Sequence, residues 1–130
     1  MSQYRVLVSG SRNCNPQAAR DAIEKQFDAL RDYGRSMDTE VVIIHGGARG
    51  VDTIAHQEAC VRGFTTIVVY PQWNDYTDKR RAALDRNIKM LADWKPAAVL
   101  SFDAGSTGTK HQVAEAKRRD IPTRVIPIKR

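Results

Sequence analysis

The sequence predicts an α/β domain of the doubly wound, three-layer kind, with about five mainly parallel strands and four helices. Five short apolar, β-branched runs recur along the chain, stretches of helical spacing separate them, and glycine-rich turns follow several of the runs. Strands that alternate with helices form βαβ units, so the strands lie parallel, are covered on both faces, and connect through right-handed crossovers. Residues 4–8 read as the first strand. Asn15 then caps a helix with Pro16 at its first position, and Gly34 closes it; Ile23, Phe27 and Leu30 make its apolar stripe. Residues 41–45 are almost uniformly apolar, as in a strand buried on both faces. A second helix spans residues 51–62 and stops at Gly63. Residues 65–70 form the third strand, ended by Pro71. Thr77 caps a long third helix carrying Leu84, Ile88 and Leu91. The fourth strand is 97–102, a helix with Val113 and Ala116 follows, and 123–126 is the last strand.

A length of 130 residues and 14.6 kDa is that of one domain, read as residues 1–130 without linkers or repeats. No run nears the roughly 18 apolar residues of a membrane span, and the start lacks the apolar stretch of a signal peptide. A cytoplasmic protein that meets no membrane is expected. Two cysteines, Cys14 and Cys60, lack CxxC spacing and read as free thiols; three scattered histidines give little basis for a metal site. His45, closing a buried strand, reads as a core histidine. The net charge of +6 lies wholly in residues 66–130, with 13 Lys and Arg against 7 Asp and Glu. That bias favours anionic partners, either nucleic acid or a small phosphorylated ligand, although solvated helix faces would produce it too.

In doubly wound sheets ligands bind beyond the carboxyl ends of the strands, where strand order reverses. Three such ends carry unusual loops: Gly10-Ser11-Arg12, Gly46-Gly47-Ala48-Arg49-Gly50 with Asp52 beyond it, and Gly105-Ser106-Thr107-Gly108-Thr109. Each leads toward a helix start, whose unpaired amides and positive dipole end attract anions. Glycine lets the backbone approach a phosphate, hydroxyls add donors, and Arg12 and Arg49 add forked cationic ones. Neither GxGxxG nor GxxxxGK[ST] occurs, which lowers ordinary dinucleotide and ATPase readings. Asp52 serves either as a helix cap or as an acceptor for ribose hydroxyls. Trp73 and Tyr76 either stack on a base or pack over a helix end.

These motifs, with Pro71-x-Trp73 and Arg86-Asn87-x-x-Met90, resemble the YspA/YpsA-related branch of the SLOG superfamily, whose wider relatives include the DprA/Smf proteins and the LOG phosphoribohydrolases. The resemblance covers nearly the whole chain and implies a Rossmann-like domain holding a nucleotide or nucleotide-derived ligand, with no required cofactor. It also implies self-association as a homodimer, for which no exposed apolar stripe argues. On a helical wheel Arg86 falls opposite Leu84, Ile88 and Leu91, a solvated position softened by Ala83 and Met90; its ligand-binding role, and that of Asn87, follow from the resemblance. LOG-type enzymes place a glutamate soon after the last glycine-threonine pair, whereas here Lys110, His111 and Gln112 follow Thr109, and Glu115 lies a turn further on. The catalytic residues are therefore unassigned. The leading expectation is a binding or sensing module for a nucleotide-type ligand. The alternatives are an N-glycosidic hydrolase of nucleoside monophosphates using Asp75, Asp78 or Asp103, and a DprA-like nucleic-acid binder.

Overall fold

The structure, a computed structural model, describes residues 2–130. Five parallel strands, β1 (Gln3–Gly10), β2 (Glu40–His45), β3 (Thr65–Val68), β4 (Ala98–Asp103) and β5 (Thr123–Pro127), form one sheet in the order β3-β2-β1-β4-β5. The helices are α1 (Pro16–Met37), α2 (Val51–Val61), α3 (Lys79–Trp94) and α4 (Thr107–Arg118). The chain builds outward from β1 through β2 to β3, then returns to the other side of β1 for β4 and β5. The reversal leaves a crevice between the carboxyl ends of β1 and β4.

Side-chain alternation along the strands divides the core into two layers. Val6, Val8, Ile43, Leu100 and Phe102 meet Ile23 and Phe27 of α1 and Ala55 of α2 on one face. Leu7, Val42, Ile44 and Val99 meet Met90 and Leu91 of α3 and Ala116 of α4 on the other. Consecutive residues Val6, Leu7 and Val8 are all buried, which explains why β1 shows no polar alternation.

Several boundaries differ from the sequence expectation. Gly34 does not end α1, which continues to Met37 and closes on Asp38 in the left-handed region. A Cβ at Gly34 would lie 3.0 Å from Val41 Cγ2 and 3.1 Å from the Thr39 carbonyl, so glycine serves close packing there, not a reversal. Asp78, not Thr77, caps α3, its carboxylate accepting from Arg80 N at 3.0 Å. β3 stops at Val68, although Val69 N still donates to the His45 carbonyl at 2.9 Å. On α3, Leu84 and Ile88 are only half-buried, and the inward face is Ala82, Asn87, Met90 and Leu91. That face divides its residues between the sheet and a polar cleft, so its apolar stripe misplaces it.

Two glycines separate packing from open space. A Cβ at Gly10 would fall within the Val51 side chain, which is fully buried at the start of α2. Nothing lies within 4 Å of a Cβ at Gly108, in the first turn of α4. Gly10→Ala is expected to lower stability by about 1–3 kcal/mol through overpacking. Gly108→Ala should leave thermal stability unchanged or slightly raised. Parallel thermal unfolding of both variants checks this.

Candidate functional site

The loops that follow β1, β2 and β4 meet at Ser11. Its amide donates to the Phe102 carbonyl at 3.2 Å, its carbonyl accepts from Val51 N at 3.2 Å, and its hydroxyl accepts from Ala104 N at 2.8 Å. Ser11 is buried, so the residue expected to offer a ligand donor chiefly ties the loops together. Gly50 completes the junction: at φ 78° its Cβ would lie 2.5 Å from the Ser11 carbonyl oxygen and 2.6 Å from that of Arg12, a close approach only glycine allows.

Asp52 organises the second loop, its Oδ2 accepting from the amides of Gly46 and Ala48, both at 3.2 Å. Burial pushes its carboxyl up to about 6, opposed by those amides and by Arg86 and Arg12. Arg86, which the helical wheel alone leaves in solvent and the resemblance assigns to the ligand, is half-buried. Its Nη1 donates to the carbonyls of Gly46 at 2.7 Å and Val69 at 3.2 Å, and its Nε donates to Asn87 Oδ1 at 3.1 Å. Burial lowers its pKa, against the pull of Asp52. Its charge thus stands behind the second loop, held by carbonyls on which the loop's shape depends.

His45 lies beside this group, burial above all, then His56 and Arg86, taking its pKa down to about 4. Its Nδ1 accepts from Gly47 N at 3.0 Å, which places the proton of the neutral ring on Nε2, 2.9 Å from His56 Nδ1. In the third loop, Asp103 Oδ1 accepts from the amides of Gly105 at 2.7 Å and Ser106 at 3.2 Å. Ser106 caps α4, its Oγ accepting from Thr109 N at 3.3 Å and pairing with the Thr109 hydroxyl. The amides of Thr107 and Gly108 precede the helical hydrogen-bond ladder and have no intrahelical acceptor.

Between these loops lies a cleft of about 530 Å³. Gly10, Ser11 and Arg12 line one side; Gly46 and Asp52 line the back, with Arg86 and Asn87 of α3. The third loop contributes Gly105 through Thr109. Five of the residues expected to meet a ligand lie outside the lining. Gly47, at φ 70°, packs its backbone against Tyr70, and Gly50 forms the junction described above. Arg49 is exposed and donates to Asn13 Oδ1 at 3.0 Å; Trp73 sits on an exposed 3-10 turn, Trp73–Asp75. Tyr76 is also outside, its hydroxyl donating to Asp85 at 2.7 Å.

The carboxylates considered for hydrolysis are placed elsewhere. Glu115 is held by Arg118 at 2.7 Å and Arg119 at 2.6 Å, Asp78 caps α3, Asp103 shapes its loop, and Asp75 lies on the 3-10 turn. Among the described residues, Asp52 is the one carboxylate in the cleft lining. The sequence reading missed Arg80, Arg130 and Gln112 there. Arg80 opens α3 at the mouth, in a basic cluster visible in sequence. Arg130 arrives because the segment after β5 folds back, its Nε donating to the Ala104 carbonyl at 3.0 Å. Gln112 follows Thr109 by three residues and precedes Ala116 by four, which puts it on the buried face of α4.

Comparison with known proteins agrees with this architecture. The family described as YAcAr, the YspA, cpYpsA-related SLOG family, matches residues 4–76. The gene 61 protein of Mycobacterium phage D29 is 32% identical over 122 residues, covering 91% of this chain and 92% of that protein. The chain belongs to the YAcAr family. The DNA processing protein DprA of Streptococcus pneumoniae is 40% identical over 65 residues, 50% of this chain and 20% of DprA. An X-ray structure of DprA from Streptococcus pneumoniae shares the fold, with TM-score 0.73 at 22% identity, over 95% of this chain and 50% of that one. The YAcAr chain thus spans only part of the DprA proteins it matches.

Asp52, in the cleft lining, and His45, beside the loop that Asp52 organises, oppose each other in pH dependence. His45, depressed to about 4, contributes stability that is present above its unfolded pKa of 6.5 and is lost as pH falls toward 4. Asp52, raised from 3.8 to about 6, favours the fold when protonated, and this contribution is lost as pH rises through 6. Subtracting wild-type stability from that of Asp52→Asn should leave a difference that grows between pH 4 and pH 6, approaching on the order of 2–3 kcal/mol. Thermal unfolding across that range checks it; a flat difference would place the carboxylate in a wetter setting than its burial implies.

Proposed function

We propose that the cleft binds a nucleotide or nucleotide-derived phosphorylated ligand, with a phosphate seated on the first turn of α4. The observation that carries this is the open space over Gly108, where neither backbone dihedral nor packing requires glycine and where an added Cβ would meet no protein atom. The amides of Thr107 and Gly108 and the helix dipole favour an anion there. Arg12, Arg80, Arg86 and Arg130 all line the same cleft, against the single carboxylate of Asp52. That excess of guanidinium charge suits a ligand carrying more than one negative charge. The cleft volume lies within the roughly 300–1,000 Å³ of small-molecule sites. Membership of the YAcAr family and the likeness to DprA support a nucleotide- or nucleic-acid-related function.

A nucleic-acid partner is the second reading, favoured by the 40% identity to a DNA processing protein over 65 residues and by the basic second half of the chain. Thermal unfolding against AMP, ADP, ADP-ribose, NAD and a short single-stranded DNA separates the two. A ligand at a hundred times its dissociation constant adds about 2.7 kcal/mol. The expected outcome is a raised midpoint with a small nucleotide, abolished in Gly108→Asp and reduced about tenfold in affinity in Arg80→Ala, whose side chain is exposed at the mouth. A shift with DNA alone, falling steeply with salt, would overturn the small-ligand reading in favour of nucleic acid. Chromatography of the same mixtures reports any release of free base, and would make Asp52 the first carboxylate to replace.

A further inference from the structure

A chain of two histidines runs behind the second loop, and the phosphate seat makes no use of it. His45 closes β2 at 3% exposure, and His56 lies half-buried on α2. The Gly47 amide donates to His45 Nδ1 at 3.0 Å, and His45 Nε2 lies 2.9 Å from His56 Nδ1. An amide N–H can only donate, so the neutral His45 ring carries its proton on Nε2 and gives that hydrogen bond to His56 Nδ1. His56 then carries its own proton on Nε2, at the outer end of the chain. The inner end is the backbone of a loop whose preceding residue, Gly46, lines the cleft.

An added proton has few places to go. The neutral pair holds two ring protons on four ring nitrogens, and the bond between the rings uses one proton across two of them. A third proton that leaves this bond intact puts hydrogen on both outer nitrogens, His56 Nε2 and His45 Nδ1. His45 Nδ1–H then faces Gly47 N–H, donor against donor. Were His56 to swing away instead, the Nε2–H of a buried ring would lose its acceptor, which is the costlier loss. Gly47 is exposed, so its amide turns to water.

The surroundings decide which ring takes the charge. Burial, then His56 and then Arg86 of α3, disfavour a charge on His45 itself, which leaves it to His56. On α2, Asp52 lies a turn before His56 with its carboxyl on the Gly46 and Ala48 amides, and Arg12 of the first loop acts on Asp52. Tyr70, after β3, packs against Gly47, and Arg20 of α1 is held by Glu58 and Gln57. Among the described residues no other ionisable side chain bonds to either ring.

We propose that His45 and His56 form a proton-operated latch on the second loop: proton uptake at His56 reverses the tautomer of His45 and releases the Gly47 amide. The cleft wall at Gly46 then loosens in acid, whichever ligand the cleft takes.

Nitrogen-15 NMR of the unliganded protein tests this, because long-range correlations distinguish Nδ1–H from Nε2–H rings. At pH 7.5 both rings should be Nε2–H forms. Between pH 7.5 and pH 5, where histidines generally charge, His45 should convert to the Nδ1–H form as His56 gains its proton. The Gly47 amide signal should move with the same midpoint. His56→Gln keeps an acceptor for His45 Nε2–H and removes the titrating ring. There His45 should stay in the Nε2–H form, and Gly47 should keep only the movement that Gly46 and Ala48 share as Asp52 titrates at about 6. At pH 5 its Gly47 amide should exchange with water about fivefold more slowly than in the wild type. A His56 ring that titrates while the His45 tautomer stays unchanged would overturn the latch, as would an Nδ1–H form of His45 at pH 7.5. An equal Gly47 response in His56→Gln and wild type would overturn it too. Should His56→Gln unfold, the wild-type tautomers decide alone.

Discussion

Three backbone segments that must converge without colliding are joined through Ser11, and the cleft depends on that junction. Its amide, carbonyl and hydroxyl are each used by a different neighbour, two from the β4 side and one from the start of α2. Gly10 and Gly50 flank the contact because a side chain at either would occupy space already filled by Val51 or by the carbonyls of Ser11 and Arg12. Given a sheet whose strand order reverses between β1 and β4, these contacts fix the spacing of the loops, and hence where α2 and α4 begin. The charged residues then decorate a frame set by backbone geometry.

Much of the site is built from residues that serve the protein before any ligand. Asp52 bonds the amides of its own loop, Asp103 does the same for the third loop, and Ser106 caps α4. Arg86 holds two carbonyls. Glycine, serine, threonine and aspartate are what tight loops and helix starts require, and they are also what phosphate sites use. Position within the cleft, and whether a polar atom is already satisfied, separate the two uses. By that measure Gly108 and Arg80 face a guest more plainly than Ser11 or Gly50.

The fold was legible in the sequence because its signals are local. Apolar runs marked every strand, and Asn15-Pro16 and Gly63 marked helix ends correctly. Gly34 misled because glycine answers two different demands, a left-handed turn and a close approach, and only the second applies there. The helical wheel alone would leave Arg86 in solvent, because the inward face of α3 is partly polar; its expected place at the site came from the resemblance. Arg130 could not be placed without knowing that the chain returns over the third loop, a tertiary fact. Gln112 was within reach: its spacing from Thr109 and Ala116 assigns it to the sheet-facing side, and a glutamine there asks for a partner.

The opposite edge of the sheet obeys different rules. There α1, α3 and α4 are followed by Asp38, Lys95 and Asp120, each in the left-handed region at φ 50°, 45° and 57°, and α2 by Gly63 at 72°. These reversals serve only to turn the chain back into the next strand. Among the described residues, loops on that side bond to β1 or the residue before it, Thr39 to Ser2 and the Trp94 carbonyl to Arg5, but no single residue there joins three of them as Ser11 does. Lengthening, grafting and fusion belong on that edge, where an inserted segment need not thread through the junction. The domain therefore has one end that evolution or an engineer can extend and one whose loop lengths are interdependent.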